Sequence, residues 1–220
     1  MEAATDLSTL FVSAATLLFA SFTSLFSVVN PMAATPVFLS LTGDYTLAER
    51  NRIAKRACVY MFGVLTTFLL VGTYILVFFG IELTGIRIAG GIVIMRTALS
   101  MLNPEKAGRK LSKEDEQEAL DREDITFSPL AMPLLSGPGS IAVVIGLASQ
   151  ANNPLDYLLT GVSILAVSFT TYLLLRIAPV LARFLGRTGL GVMTRMMGFI
   201  ALAISVQFIL GGVARFFGLT

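Results

Sequence analysis

Two short interruptions of apolar sequence carry the residues of this chain that are best suited to bind a ligand. One is Asn30-Pro31 and the other is Gly137-Pro138-Gly139. Asn30 is a favourable helix N-cap and proline fits the first helical position, so each interruption indicates the start of a helix. The unpaired N–H groups and positive dipole end of a helix start attract anions. Two such starts that lie together predict an anion-binding pocket.

Hydroxyl and guanidinium groups accompany these interruptions. The hydroxyls of Ser27, Ser136 and Ser140 could donate to the ligand. Arg87 and Arg195 each open an apolar helix. A charge inside a bilayer is costly, so these arginines either shape the field of the pocket or extend to the lipid headgroups. Both alternatives stay open, as does the alternative that the prolines only kink two packed helices. The predicted substrate-binding residues are Ser27, Asn30, Pro31, Arg87, Gly137, Pro138, Gly139, Ser140 and Arg195.

The composition excludes several classes of chemistry. The chain contains no histidine, which removes histidine-based triads, proton relays and metal sites. Its single cysteine, Cys58, allows no internal disulfide. A net charge of +2 without a basic-aromatic patch does not favour nucleic acid as a partner. We therefore expect no enzyme, no metal and no cofactor.

Hydrophobic residues make up 55% of the 220 residues and charged residues 14%. The mean hydropathy is +0.80. These values are typical of a polytopic membrane protein, whose spans each need about 20 residues. The sequence predicts an all-α fold with six spans, at Thr9–Leu41, Val59–Phe79, Ile86–Leu102, Thr126–Ser149, Leu155–Ile177 and Met193–Gly212.

Lysine and arginine are distributed unevenly over the connecting segments. They are frequent in the first segment ("GDYTLAERNRIAKRA"), the third (residues 103–125) and the fifth ("RIAPVLARFLGRTG"), and absent from the second and fourth. The positive-inside rule makes the odd segments cytoplasmic, so both termini are predicted outside. The segment before the first span has Glu2 and Asp6 but no lysine or arginine, unlike a signal peptide, and we expect a retained first helix.

An internal repeat relates the two halves of the chain. "VVNPMAATPVF" aligns with "LSGPGSIAVVI", which places Pro31 and Pro138 at an offset of 107 residues. Arg87 and Arg195 follow at an offset of 108. Each half holds three spans, and an odd number inverts the second copy in the membrane, as in many secondary transporters. The prediction is one repeat at residues 1–102, a charged linker at 103–125 and a second repeat at 126–220, with the first and fourth helices broken. Such breaks must face the protein interior.

At these residues the chain resembles the MarC family of integral membrane proteins, also called UPF0056, which includes the archaeal SnatA amino-acid transporters. The resemblance rests on "NPMAATPVFLSLTG", "ERNRIAKRA", "FGIELTGIRIAGGIVI", "PLAMPLLSGPGSIA" and "MTRMMGFIALAISVQFILGGV", from about Val28 to Val213. It implies a six-helix protein of the bacterial inner membrane. It also implies transport of small neutral amino acids such as glycine or alanine, with Asn30-Pro31 and Gly137–Ser140 as the family's breaks.

Together these observations predict a secondary transporter whose partners are a small neutral amino acid and the lipid bilayer. The sequence is compatible with an oligomer but does not predict one. The helix starts would hold the substrate carboxylate, and carbonyls freed by the breaks would hold its ammonium group. A channel or an efflux protein is the alternative. An efflux protein needs a large aromatic pocket, whereas the sequence around the breaks is rich in small and polar residues.

Overall fold

A computed structural model of the chain describes residues 2–103 and 135–219, and the regular secondary structure in them is entirely helical. A helix that runs from Pro154 to Phe216 changes direction at Gly186, so we treat it as two helices. The helices are α1 Glu2–Val29, α2 Pro31–Leu41, α3 Leu47–Phe79, α4 Leu83–Leu102, α5 Pro138–Ala148, α6 Pro154–Gly186 and α7 Thr188–Phe216. The predicted all-α class is confirmed.

Five stretches of the described residues are long and apolar enough to cross a bilayer. They are Val12–Leu39, which joins most of α1 to α2, and the whole of α3, α4, α6 and α7. The apolar helix α5 is shorter, with 11 residues. The predicted fourth span, Thr126–Ser149, begins in residues 126–134, which lie outside the described part, as do linker residues 104–125. The chain is therefore an integral, multi-pass helical membrane protein.

Two segments that the sequence predicted as loops are helical, and that prediction was wrong. α3 begins at Leu47 because Thr46 and Glu49 cap each other: the Thr46 hydroxyl accepts from the Glu49 N–H, and the Glu49 carboxylate accepts from the Thr46 N–H. α6 likewise continues to Gly186. Hydropathy detects the part of a helix in hydrocarbon, yet the 33 residues of α3 extend about 50 Å, beyond a core of about 30 Å.

Two pairs of helices have the same lengths in the two halves of the chain and occur in the same order. α2 and α5 each have 11 residues and begin with proline, and α3 and α6 each have 33 residues. The starts of both pairs are separated by 107 residues. Thr46 before α3 and Asn153 before α6 each accept a hydrogen bond from the N–H of the acidic residue three positions later. The N-terminal helix α1 precedes this shared series.

Helix α4 is held between α5 and α7 by two adjacent glycines. A Cβ added to Gly90 would lie 2.5 Å from the Cβ of Ala142 on α5. A Cβ added to Gly91 would lie 2.7 Å from Ile209 Cγ1 and 3.0 Å from the Ser205 carbonyl oxygen, both on α7. Neither site has room for a side chain, so these glycines allow the close packing of α4 against both neighbours.

Helices α4 and α7 run antiparallel along a seam of small residues. The Gly212 Cβ position lies 3.2 Å from the Thr84 carbonyl oxygen, and that of Gly198 lies 3.2 Å from the Ala98 carbonyl oxygen. With Gly91 and Ser205 between them, the contacts recur every seven residues on both helices, as in a coiled coil. Residues near 94 therefore lie at the middle of the pair.

Candidate functional site

The first interruption ends one helix and starts another within a single residue. The Asn30 N–H donates to the Phe26 carbonyl oxygen at 2.9 Å and closes α1. The backbone of Asn30 has the left-handed helical conformation, with φ 47° and ψ 62°. Asparagine tolerates this conformation better than most residues. Its carbonyl oxygen then accepts from the N–H groups of Ala33 and Ala34 at 3.0 and 3.2 Å. Its side-chain oxygen also accepts from Ala33, at 3.3 Å. The start of α2 is thus capped by Asn30 in this conformation.

The second interruption caps itself in a different way. Gly137 is extended and precedes Pro138, the first residue of α5. The Ser140 hydroxyl lies 2.9 Å from the Gly137 carbonyl oxygen, to which it donates, and 3.4 Å from that of Leu135. Ser140 is only 2% exposed. Its hydroxyl, predicted to face a ligand, therefore bonds to its own backbone here.

The two interruptions, more than 100 residues apart in sequence, meet in the structure. A Cβ on Gly139 would lie 3.2 Å from Val28 Cγ1, on the last turn of α1, and 2.6 Å from Ile94 Cγ1, at the middle of α4. Asn30 Nδ2 lies 3.9 Å from the sulfur of Met101, farther along α4. We call this meeting point of Val28, Asn30, Ile94 and Gly139 the break junction.

The break junction combines polar groups with an apolar surround. Asn30 is 8% exposed and Ser136 is 1% exposed. Leu25, Val29, Leu135 and Val143 belong to the buried apolar cluster beside them. Ser27 is half-buried, Pro31 is buried and Pro138 is exposed. The ligand groups that the junction offers are an amide, hydroxyls and backbone dipoles, which suit a molecule without net charge because no ionisable side chain of the junction balances one.

The two arginines lie away from the break junction and from each other. Arg87 is half-buried and lies seven residues before Ile94, which is about 10 Å along the axis of α4. Arg195 is exposed and lies near the start of α7, one turn before Gly198. Because α4 and α7 are antiparallel, the arginines lie toward opposite ends of the pair. The structure therefore brings the two breaks together without bringing in either arginine.

Sequence reasoning missed Ile94, which completes the break junction, and Met101, which lies beside Asn30. Ile94 and Met101 are apolar residues inside an apolar span, so no sequence signal separated them from lipid-facing neighbours.

A cavity of about 370 Å³ lies away from the break junction, at the turn between α5 and α6, lined by Ala151, Asn152, Asn153, Pro154 and Tyr157. In residues 2–103 and 135–219, no group of three histidine, cysteine or acidic residues could hold a metal ion.

Comparisons with known proteins place the chain in a family. Residues 15–217 match the family model described as MarC family integral membrane protein. A UPF0056 membrane protein of Methanocaldococcus jannaschii is 39% identical over 193 residues, 88% of this chain and 94% of the relative. The UPF0056 membrane protein YhcE of Escherichia coli is 36% identical over 200 residues, 90% and 93% of the two chains. The UPF0056 inner membrane protein MarC of Citrobacter koseri is 34% identical over 199 residues, 86% and 90% of the two chains. No solved structure matches. The chain belongs to the MarC family of integral membrane proteins.

Proposed function

We propose that this protein is a secondary transporter of small neutral amino acids, of glycine or alanine size, across the bacterial inner membrane. The observation that carries the proposal is the contact of Gly139 with Val28, which places the start of α5 against the last turn of α1, three residues before α2 begins at Pro31. Paired helix starts beside mid-membrane breaks are the substrate sites of transporters built from inverted repeats. The proposal includes the relation to the SnatA branch that the resemblance implied.

An inverted repeat is part of this proposal, and two observations support it. The shared order of helix lengths is the first. The second is that Ile94 and Leu202, which are equivalent at the offset of 108 residues, pack in one cluster with Ala98 and Ala201. Two residues related by a two-fold axis in the membrane plane can contact each other only close to that axis. There, the two equivalent helices that carry them run antiparallel. α4 and α7 meet that condition. Six spans would place both termini on the same side, and the positive-inside rule makes that the periplasmic side.

The chemistry of the break junction supports a small zwitterion as the substrate. The substrate carboxylate would bind the N–H groups at the starts of α2 and α5. In the present conformation, Asn30 already accepts hydrogen bonds from N–H groups at the start of α2. Its ammonium group would bind backbone carbonyls such as that of Gly137, which the Ser140 hydroxyl now occupies. Binding therefore exchanges internal hydrogen bonds for bonds to the substrate, and it requires the start of α5 to separate from Val28 and Ile94. Arg87 and Arg195 have no contact with the substrate in this proposal.

Transport assays on the purified protein in liposomes test the proposal. Uptake of radiolabelled glycine should saturate and should be competed by alanine. Glycine methyl ester should compete much less well, because the helix starts hold the carboxylate. Flux that rises linearly with concentration would indicate a channel, and competition by large apolar compounds alone would indicate an efflux protein. Equal competition by the ester and the free acid would overturn the helix-start account.

A further inference from the structure

Two arginines lie at the same end of the α4–α7 pair. The Gly212 Cβ position is 2.7 Å from Ile88 Cγ1, so the last turns of α7 lie beside the first turns of α4. Arg87 directly precedes Ile88, and Arg215 lies one turn after Gly212. Arg215 is exposed and Arg87 is half-buried, and both lie next to the Gly212–Ile88 contact, so their like charges lie at the same end of the helix pair. This end of the pair thus holds two like charges together.

One acidic side chain lies in the turn that precedes α4. The carboxylate of Glu82 is exposed and accepts a hydrogen bond from the Thr84 hydroxyl at 3.1 Å. Among the residues that the structure describes at this end of the pair, one carboxylate stands against two guanidinium groups, which leaves an excess positive charge. The lysine- and arginine-rich segments belong to the predicted cytoplasmic side, so the excess charge lies on the side where the sequence otherwise places few cations.

Exposed phenylalanines lie at the ends of α3 and α7, close in sequence to these charges. Phe78 and Phe79 end α3, and Phe216 and Phe217 lie at the end of α7. All four rings are at least 65% exposed, and each pair packs edge to face. Exposed phenylalanines at the end of a membrane helix lie in the outer part of the hydrocarbon. Arg215 directly precedes Phe216, and Arg87 lies in the first turns of α4, so both side chains can extend to the lipid phosphates.

We propose that Arg87 and Arg215 together bind the phosphate of an anionic phospholipid. A guanidinium group offers paired N–H donors that match two phosphate oxygens, and a phosphate between two arginines neutralises their repulsion. A phospholipid with net negative charge is preferred over a zwitterionic one, because the positive group of a zwitterionic headgroup adds to the repulsion. This site is separate from the break junction and does not depend on the proposed function.

The test measures lipid binding by the full-length protein in nanodiscs and by native mass spectrometry. Wild-type protein should retain phosphatidylglycerol through detergent exchange and should melt at a higher temperature in phosphatidylglycerol than in phosphatidylcholine. Arg87→Gln or Arg215→Gln should weaken retention roughly tenfold or more, since each removes charged hydrogen bonds. Arg215→Lys, which keeps the charge but loses the paired donors, should lie between. Arg195→Gln, at the other end of the pair, is the matched control.

Glu82→Gln separates this proposal from an internal ion pair. If the arginines serve a lipid, removing the carboxylate should strengthen retention of phosphatidylglycerol. Weaker retention in Glu82→Gln would indicate that Glu82 is their partner and would overturn the proposal. Equal retention by Arg87→Gln, Arg215→Gln and Arg195→Gln would also overturn it. Stabilisation by millimolar inorganic phosphate equal to that by phosphatidylglycerol would assign the site to a free anion instead.

Discussion

Alanine at position 139 should damage the break junction, whereas alanine at position 146 of the same helix should not. Both glycines are buried in α5. A Cβ on Gly139 would lie 2.6 Å from Ile94 Cγ1, well inside the ordinary contact distance of about 3.5–4 Å between carbon atoms. A Cβ on Gly146 meets nothing within 4 Å. The same added methyl group would therefore clash at position 139 and would meet no neighbouring atom at position 146.

The expected difference in the free energy of unfolding follows from these distances. Overpacking a tight contact costs about 1–3 kcal/mol, because Ile94 or the start of α5 must move. Replacing a helical glycine with alanine gains about 0.5–1 kcal/mol where space allows. Gly139→Ala should thus lower stability by about 1–2 kcal/mol, and Gly146→Ala should be neutral or slightly stabilising.

The assay is equilibrium unfolding of both variants in the same lipid, followed by uptake of glycine at the same protein density. Ile94→Ala should itself cost about 2–5 kcal/mol, because Ile94 is buried. The double variant should nevertheless be more stable than the sum of the two single effects predicts, because the truncation removes the atoms that the new methyl group meets. A double-mutant cycle measures that coupling. Equal stability of Gly139→Ala and Gly146→Ala would refute the packing on which the break junction rests.

Three further predictions address the fold. Asn30→Ala should lower stability by about 1–2 kcal/mol, because it loses the cap and strains a left-handed residue, whereas Asn30→Gly should lose less; thermal unfolding compares them. In a Cys58→Ser background, Ala98→Cys on α4 and Ala201→Cys on α7, which belong to one buried cluster, should form a disulfide under mild oxidation, seen as a reducible change of gel mobility, and failure to cross-link would argue against the antiparallel seam. Alkaline phosphatase fused to the C-terminus should be active and the same reporter in the 103–125 linker inactive; the reverse pattern would invert the proposed orientation.

The local chemistry of the chain was predictable because it depends on residues adjacent in sequence. Apolar composition and length predicted a multi-pass helical protein. Asparagine, glycine and proline marked where α2 and α5 begin, since their preferences act within one turn. Hydropathy failed where helices leave the hydrocarbon, and the capping pair Thr46 and Glu49, present in the sequence, was the signal that would have placed the start of α3.

The composition of the break junction was decided by the tertiary structure. Ile94 meets Gly139 because Gly90 and Gly91 let α4 approach α5 and α7, and nothing in the residues around Ile94 encodes that meeting. The orientation of the Ser140 hydroxyl and the separation of Arg87 from Arg195 depend in the same way on how the helices pack. In a membrane, every face of a helix is apolar, so hydrophobic periodicity does not identify the buried face. Helix pairing depends instead on shape and small residues at close contacts, which involve segments far apart in the chain.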